Sequence, residues 1–415
     1  MSLALSPLRA TLFYFSNLVQ RPAPAWTFLR PAALLAPFSL AIPSWSSLLE
    51  LFPSIVLAVP KKKVSHSRKA MRSAHKGLRD KSTTVLSYLI LLVQAASRTS
   101  PPSGAVIVDS SSTGSGQYKT IASAIAALPG DGSSQSIFIY PGTYNEQLLI
   151  DRSGSVTLYG YTTDTMDYSK NQVVVTHSES LIEAGSDDES GTLRIKSDNV
   201  SLYNLDVRND YSESGRIAQA IAVSAYGSQF GAYACRFFSY QDTLLAQSGT
   251  QVYLMSYIEG AVDYIFGQHA QAYFEGNTIA SKGAGCITAN GRPDDSDSSI
   301  YVFNKNDIVA SSDAFTNVTS RAYLGRPWTD YARVVFLNSN IELQLNSAIW
   351  SEWSSSTPNT DHILFAEYNS QGSGVADANR PSFATVLSES QASQYTISTT
   401  LGNDYADWVD TDYLS

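Results

Sequence analysis

The sequence predicts an all-β solenoid, and three observations carry that prediction. Between residues 219 and 267, acid and amide side chains recur at Gln219, at the pair Gln241–Asp242 and at Asp263, in steps of 22 (219 to 241) and 21 (242 to 263) residues. Tyr233, Tyr253 and Tyr273 step through the same region every 20 residues, each opening an aromatic/polar alternation such as Tyr233-x-Cys235-x-Phe237. A repeat of about 20 residues built from short alternating strands is one coil of a stacked solenoid. Helices of about 10–15 residues do not alternate with these strands, so a doubly wound sheet is disfavoured.

In chain order, residues 1–60 are apolar but broken by prolines, without an uninterrupted apolar run long enough for a transmembrane helix. A basic stretch at 61–81 (KKKVSHSRKAMRSAHKGLRDK) precedes the short apolar run VLSYLILLVQA at 85–95. Basic segment, apolar run and small-residue site form the pattern of a secretory signal, which Met71 would start naturally. The expected organisation is therefore a disordered gene-model extension at 1–70, a signal peptide at 71–95 and a catalytic β-helix domain at 96–415. The alternative is a genuine long leader directed to a membrane.

Residues 97–104 are a polar, proline-containing start. The segment 118–128 (YKTIASAIAAL) places Ile121, Ile125 and Leu128 on one helical face before the stop at Pro129-Gly130. A short amphipathic helix of this kind can cap the open end of a solenoid. Ser136-Ile-Phe-Ile-Tyr140 is the next strand. Alternating strands then recur at Val156-Thr-Leu-Tyr, Val200-Ser-Leu-Tyr-Asn-Leu-Asp-Val, Tyr301-Val-Phe-Asn and Val334-Val-Phe-Leu-Asn. Several end in Asn or Ser, residues suited to a solenoid corner. Beyond Ile341 the alternation loosens into Trp/Ser/Gly-rich sequence, expected to form long loops and a tail packed back on the solenoid. With both ends covered, the expected state is a monomer.

Charge narrows the partners. Residues 1–95 carry 12 Lys/Arg against 2 Asp/Glu, and the remainder 16 against 35, a formal −19. So acidic a body argues against nucleic acid or an anionic membrane. It also suits a polyanionic substrate poorly unless that substrate's charges are masked. The two cysteines, Cys235 and Cys286, form no CxxC, which excludes a zinc site or a disulfide scaffold. Cys235 sits at an inward strand position, so a buried free thiol is expected over a Cys235–Cys286 bridge. The sequons Asn199-Val-Ser201 and Asn317-Val-Thr319 fit a secreted glycoprotein.

The chemistry follows by elimination and then by resemblance. The body has three histidines, His177, His269 and His362, no G-x-S-x-G and no metal-ligand spacing, so no metal or cofactor is expected. Two aspartates on neighbouring coils remain. Like charges so close cannot both ionise easily, which leaves one nucleophilic carboxylate and one carboxylic acid. Glycosidases use such pairs, and so can acyl transfer through an aspartyl anhydride. Gln219 and Gln241 favour the latter, since an oxyanion needs neutral donors and an oxocarbenium ion does not. Residues alone still allow a polar ladder without chemistry.

Five short motifs appear in order: Gly142-x-Tyr144-x-Glu146, Gln219-Ala-x-Ala222, Gln241-Asp-Thr-Leu244, Asp263-x-Ile-Phe-Gly267 and Leu324-Gly-Arg-Pro-Trp328. With them the chain resembles the pectin methylesterases, from about residue 97 to its end and most closely the fungal secreted members. Tyr264 departs from the family's usual Phe. The resemblance implies a right-handed, single-stranded parallel β-helix with a short N-terminal capping helix and long C-terminal loops. It also implies hydrolysis of the C6 methyl esters of homogalacturonan to pectate and methanol. By motif, Asp263 is the nucleophile, Asp242 the general acid and then base, Gln219 and Gln241 the oxyanion donors, and Arg326 the partner of Asp263. Trp328, Val262 and Phe266 would line the sugar cleft. Tyr226 and Tyr240 could contribute to the same cleft, but both are expected to be buried strand aromatics. A β-helix pectin lyase or a glycosidase on the same polymer is the alternative.

Overall fold

The structure, a computed structural model, describes residues 96–111, 114–212, 217–314 and 317–415. The expected extension at 1–70 and signal peptide at 71–95 lie outside these residues. Among the described residues the strands form three sheets of twelve, eight and seven strands, and every pairing between strands is parallel. Each coil contributes one strand to each sheet: Phe230–Tyr233, Arg236–Phe238 and Leu244–Ala246, then Ser248–Leu254, Tyr257–Gly260 and Ile265–Gly267. This is a parallel β-helix, as the spacing predicts.

The register over the central coils is 21 residues, pairing Phe237 with Ile258 and Ile258 with Ile279. The 20-residue tyrosine step therefore slips by one position per coil. Because side chains alternate faces along a strand, a slip of one reverses the face. Tyr253 points into the core, while Tyr233 and Tyr273 lie on the outer face of the twelve-stranded sheet beneath the C-terminal tail. The true interior column is Tyr253, Phe274, Phe303 and Phe336, with ring centroids 4.6, 4.4 and 4.3 Å apart.

The corners after the twelve-stranded sheet need a left-handed residue. Asn204 and Asn338 supply it, and so do Ala234, Met255 and Lys305, all at φ between 47 and 54°. Next to them Ser256, Asn277 and Asn306 form a buried ladder, in which Ser256 N–H donates to Asn277 Oδ1 (2.8 Å) and Asn277 N–H to Asn306 Oδ1 (2.9 Å). Burial makes these bonds obligatory for the turning backbone.

Helix α1, Ile121–Ala126, closes the N-terminal end with Ile121 buried. Glu146 receives its first free N–H groups: Ile121 N donates to Oε1 (2.9 Å) and Ala122 N to Oε2 (2.8 Å). An anionic acceptor at a helix start satisfies orphan donors and the dipole together. The Gly142-x-Tyr144-x-Glu146 motif thus serves the end cap. At the other end the strand pattern runs further than the loosened sequence suggests, since Leu364–Tyr368 and Ala384–Val386 extend the twelve-stranded sheet. Only then does the tail fold back, docking Leu401, Val409 and Tyr413 on its outer face. Both cysteines are buried free thiols, and burial pushes Cys235 up to about 12.

Candidate active site

On the outside of the seven-stranded sheet, Leu245, Phe266 and Ala289 occupy one register position on three successive coils. Together with Ile221 they form a separate apolar floor, against which Tyr226, Trp328 and Trp353 pack. A cleft of about 280 Å³ opens over this floor, lined by Asp187, Gln219, Gln241, Asp242, Asp263 and Arg326 with Phe266, Trp328 and Trp353.

The polar residues come from the corners leading into that sheet. Gln219 pairs with Gln241, and Gln241 with Val262, so the three form one column. Asp242 and Asp263 follow in the next register position, Asp242 N–H donating to Val262 O (3.0 Å) and Asp263 N–H to Cys286 O (2.8 Å). Adjacent coils lie about 4.8 Å apart, which sets the carboxyl groups side by side. Both aspartates are left-handed, at φ 64 and 51°. Asp tolerates this region better than most residues, and it turns the side chain out of the corner. Val262, expected in the cleft, is half-buried on the coil after Gln241 and is not among the residues lining it.

Arg326 grips Asp263 with two nitrogens: Nε donates to Oδ1 (2.9 Å) and Oδ2 (3.2 Å), and Nη2 to Oδ2 (2.6 Å). The Trp353 ring covers the guanidinium at 4.2 Å. Asp242 has no such partner. Both aspartates are 6% exposed, and burial lifts both carboxyls above the ordinary range, Asp242 well above it. The negative charges of Asp263 and Asp187 add to this at Asp242, where Arg326 opposes through charge alone. At Asp263 the hydrogen bonds and the charge of Arg326 both counter burial. Asp263 is the carboxyl that ionises first, and Asp242 is the one that holds its proton to higher pH. The side-chain amides of Gln219 and Gln241 are half-buried in the same cleft.

The motif glycines are explained by close approach. A Cβ on Gly325 would stand 2.1 Å from Thr288 Oγ1, and one on Gly267, at φ 144°, would stand 2.0 Å from Ala246 O. The departure at Tyr264 is accommodated: its ring is fully buried and its hydroxyl pairs with Ser281 Oγ at 3.0 Å. Tyr226 is not the buried strand aromatic expected: it is half-buried just past strand Val223–Ala225, packed against the apolar floor under Lys196, whose Nζ is 3.3 Å from its ring centroid; Tyr240 is buried, in the turn after Arg236–Phe238. His269 opens a strand and pairs with Asp297 at 2.6 Å.

Three lining residues escape the sequence reading: Ala289 of the floor, Trp353 and Asp187. Trp353 belongs to the loosened tail; the only hint is Trp350-x-x-Trp353, in which Trp350 turns inward against Phe365 and its partner turns back to Arg326. Asp187 sits on a loop between strands Val173–His177 and Leu193–Ile195, with no motif around it.

This architecture has well-populated relatives. The family model described as pectinesterase matches residues 106–404. A pectinesterase of Aspergillus niger is 45% identical over 326 residues, 77% of this chain and 95% of that protein. The crystal structure of the deglycosylated pectin methylesterase from Aspergillus niger is 42% identical, with a TM-score of 0.70 over 77% of this chain and all of that one (100%). A pectin methylesterase in complex with a hexasaccharide is 25% identical, with a TM-score of 0.58 over 73% of this chain and 98% of that one. A second family model, of the ribosomal L32p proteins, matches only residues 58–85, outside the described residues.

Proposed function

The chain belongs to the pectinesterase family and hydrolyses methyl esters of pectin; we propose that it does so through an acyl-enzyme on Asp263. The carboxylate of Asp263 adds to the C6 ester carbonyl, and the side-chain amides of Gln219 and Gln241 hold the oxyanion. Collapse breaks the bond from C6 to the methoxy oxygen, the Asp242 proton leaves with methanol, and an anhydride joins Asp263 to the sugar. Asp242, now ionised, takes a proton from water as the water adds to the same carbon. The second collapse expels the Asp263 carboxylate, releases the free galacturonic acid, which gives its proton to solvent, and leaves Asp242 protonated. Trp328 and Phe266 offer apolar surface to the sugar and its methyl group, and Val262 pairs with Gln241 from the adjacent coil.

The observation that carries this reading is the asymmetry of the carboxyl pair. One is clamped by a guanidinium at 2.6 Å and the other, one coil away, has no cation in ion-pair contact among the described residues. The lyase or glycosidase alternative is not favoured, because the one cation lining the cleft among the described residues, Arg326, is committed to Asp263. Methanol release from methylated pectin, without an ultraviolet-absorbing unsaturated product, is the test. An unsaturated product would establish the lyase instead.

Residues 1–70 are proposed as a gene-model extension, residues 71–95 as a signal peptide and residues 96–415 as the secreted, extracellular domain. The fungal relatives and the basic-apolar-small pattern support this. Asn199 and Asn317 are both exposed, as glycosylation requires. The covered ends favour a monomer.

A further inference from the structure

Among the described residues, Asp187 is a carboxylate without a partner in a cleft whose other charges are balanced. It begins the turn Asp188–Ser190 and makes no capping hydrogen bond there. Its Oδ1 is buried with no hydrogen-bond partner among the described residues. The adjacent Asp188 is the opposite case: it takes Arg194 Nη2 at 2.6 Å, Lys196 Nζ at 2.9 Å and Ser224 Oγ at 2.6 Å. One turn thus sends one carboxylate back to the strand cations and the other into the cleft. Within the cleft Arg326 is spent on Asp263 and Asp242 holds its proton. Asp187 is then the charge left over.

The substrate polymer carries at each sugar either a neutral methyl ester or a free carboxylate. We propose that Asp187 is a specificity-determining residue, whose uncompensated charge repels free carboxylates from the cleft and so favours esters flanked by other methylated sugars. This rests on the esterase reading and deepens it. It also resolves how so acidic a body meets a polyanion, since the stretches it prefers are those whose charges are masked.

The groups around Asp187 are Asp242, Asp263 and Arg326 across the cleft, and Asp188, Arg194, Lys196 and Tyr226 behind its turn. Glu183 and Glu189 of the same loop are engaged by Ser180 and Ser186. Burial lifts the Asp187 carboxyl above its ordinary range. The discrimination should therefore grow as pH rises and Asp187 ionises. Two like charges about 10 Å apart, at an effective dielectric of about 20, correspond to about tenfold in kcat/KM.

The experiment compares two hexagalacturonides, one fully methylated and one carrying a single ester flanked by free acids, as kcat/KM for methanol release per ester. Wild type should prefer the first, and Asp187→Asn and Asp187→Ala should each shrink that preference about tenfold. A preference unchanged in folded variants, or an equal loss on both substrates, overturns the proposal. If the variants do not fold, wild type decides: its preference must grow with pH and shrink with salt, and a preference indifferent to both refutes it. Absence of methanol release from the fully methylated substrate would instead overturn the esterase reading.

Discussion

Replacing Arg326 by methionine removes the guanidinium but keeps an apolar stem under Trp353. Asp263 then loses three contacts of 2.6 to 3.2 Å, all made by one cation. The Asp263 side chain is 8% exposed and that of Arg326 28%, so the pair is neither a surface bridge nor fully dry. Breaking a fully buried pair costs about 3–5 kcal/mol, and partial access of Arg326 to water reduces this to about 2–3 kcal/mol. At about 1.4 kcal/mol per pKa unit, the Asp263 carboxyl rises by about 1.5–2 units. The sign is fixed, because burial already pushes Asp263 up and Arg326 is what opposes it. The acid limb of kcat/KM against pH should move up by that amount, with a loss of about 30–100-fold below the limb and partial recovery above it. Arg326→Lys keeps the charge without the fork and should fall between the two. Methanol release followed across pH is the assay. An acid limb that stays in place while the rate falls would refute the claim that Arg326 acts by holding Asp263 ionised.

Other consequences follow from the same geometry. Gln241→Ala removes one oxyanion donor and should lower kcat by about a hundredfold or more with little change in KM; an unchanged kcat would make Gln241 a mere corner residue. Asp242→Asn should stabilise the protein while inactivating it. The folded-state pKa of Asp242 lies well above its unfolded value of 3.8, so stability is lost as pH rises from that value toward the folded pKa. The variant lacks this loss, and its Tm advantage, about a few degrees, should be absent below pH 4 and grow above it. N-terminal sequencing of secreted protein should begin at about residue 96; a start upstream of Met71 would contradict the signal-peptide reading.

The parts of this molecule that were readable from sequence are those encoded locally. Two consecutive coils without insertions set Asp242 and Asp263 exactly one period apart, 21 residues, so their alignment survives as arithmetic. The tyrosine spacing of 20 misled about facing, because a period-two pleat turns a one-residue error into the opposite side of the sheet. Leu364–Tyr368 and Ala384–Val386 were hidden by the intervening loops, which break the period although the strands still pair. Asp187 and Trp353 reach the cleft from such loops, where the destination depends on path rather than spacing. Tyr264 was visible as a departure, but the reason lies in Ser281, on the next coil.

The central claim is that Asp263 bonds covalently to the substrate while Asp242 only moves protons. It is tested by giving Asp242→Asn a nitrophenyl galacturonate, whose leaving group needs no protonation. The variant should release about one equivalent of nitrophenol in a burst and then stall, since no base remains to activate water. Mass spectrometry of the quenched, digested enzyme should find the galacturonyl group on the peptide that contains Asp263, and Asp263→Asn should show neither burst nor adduct. A burst that survives in Asp263→Asn and disappears in Asp242→Asn, with the adduct on Asp242, would reverse the two roles and contradict the account.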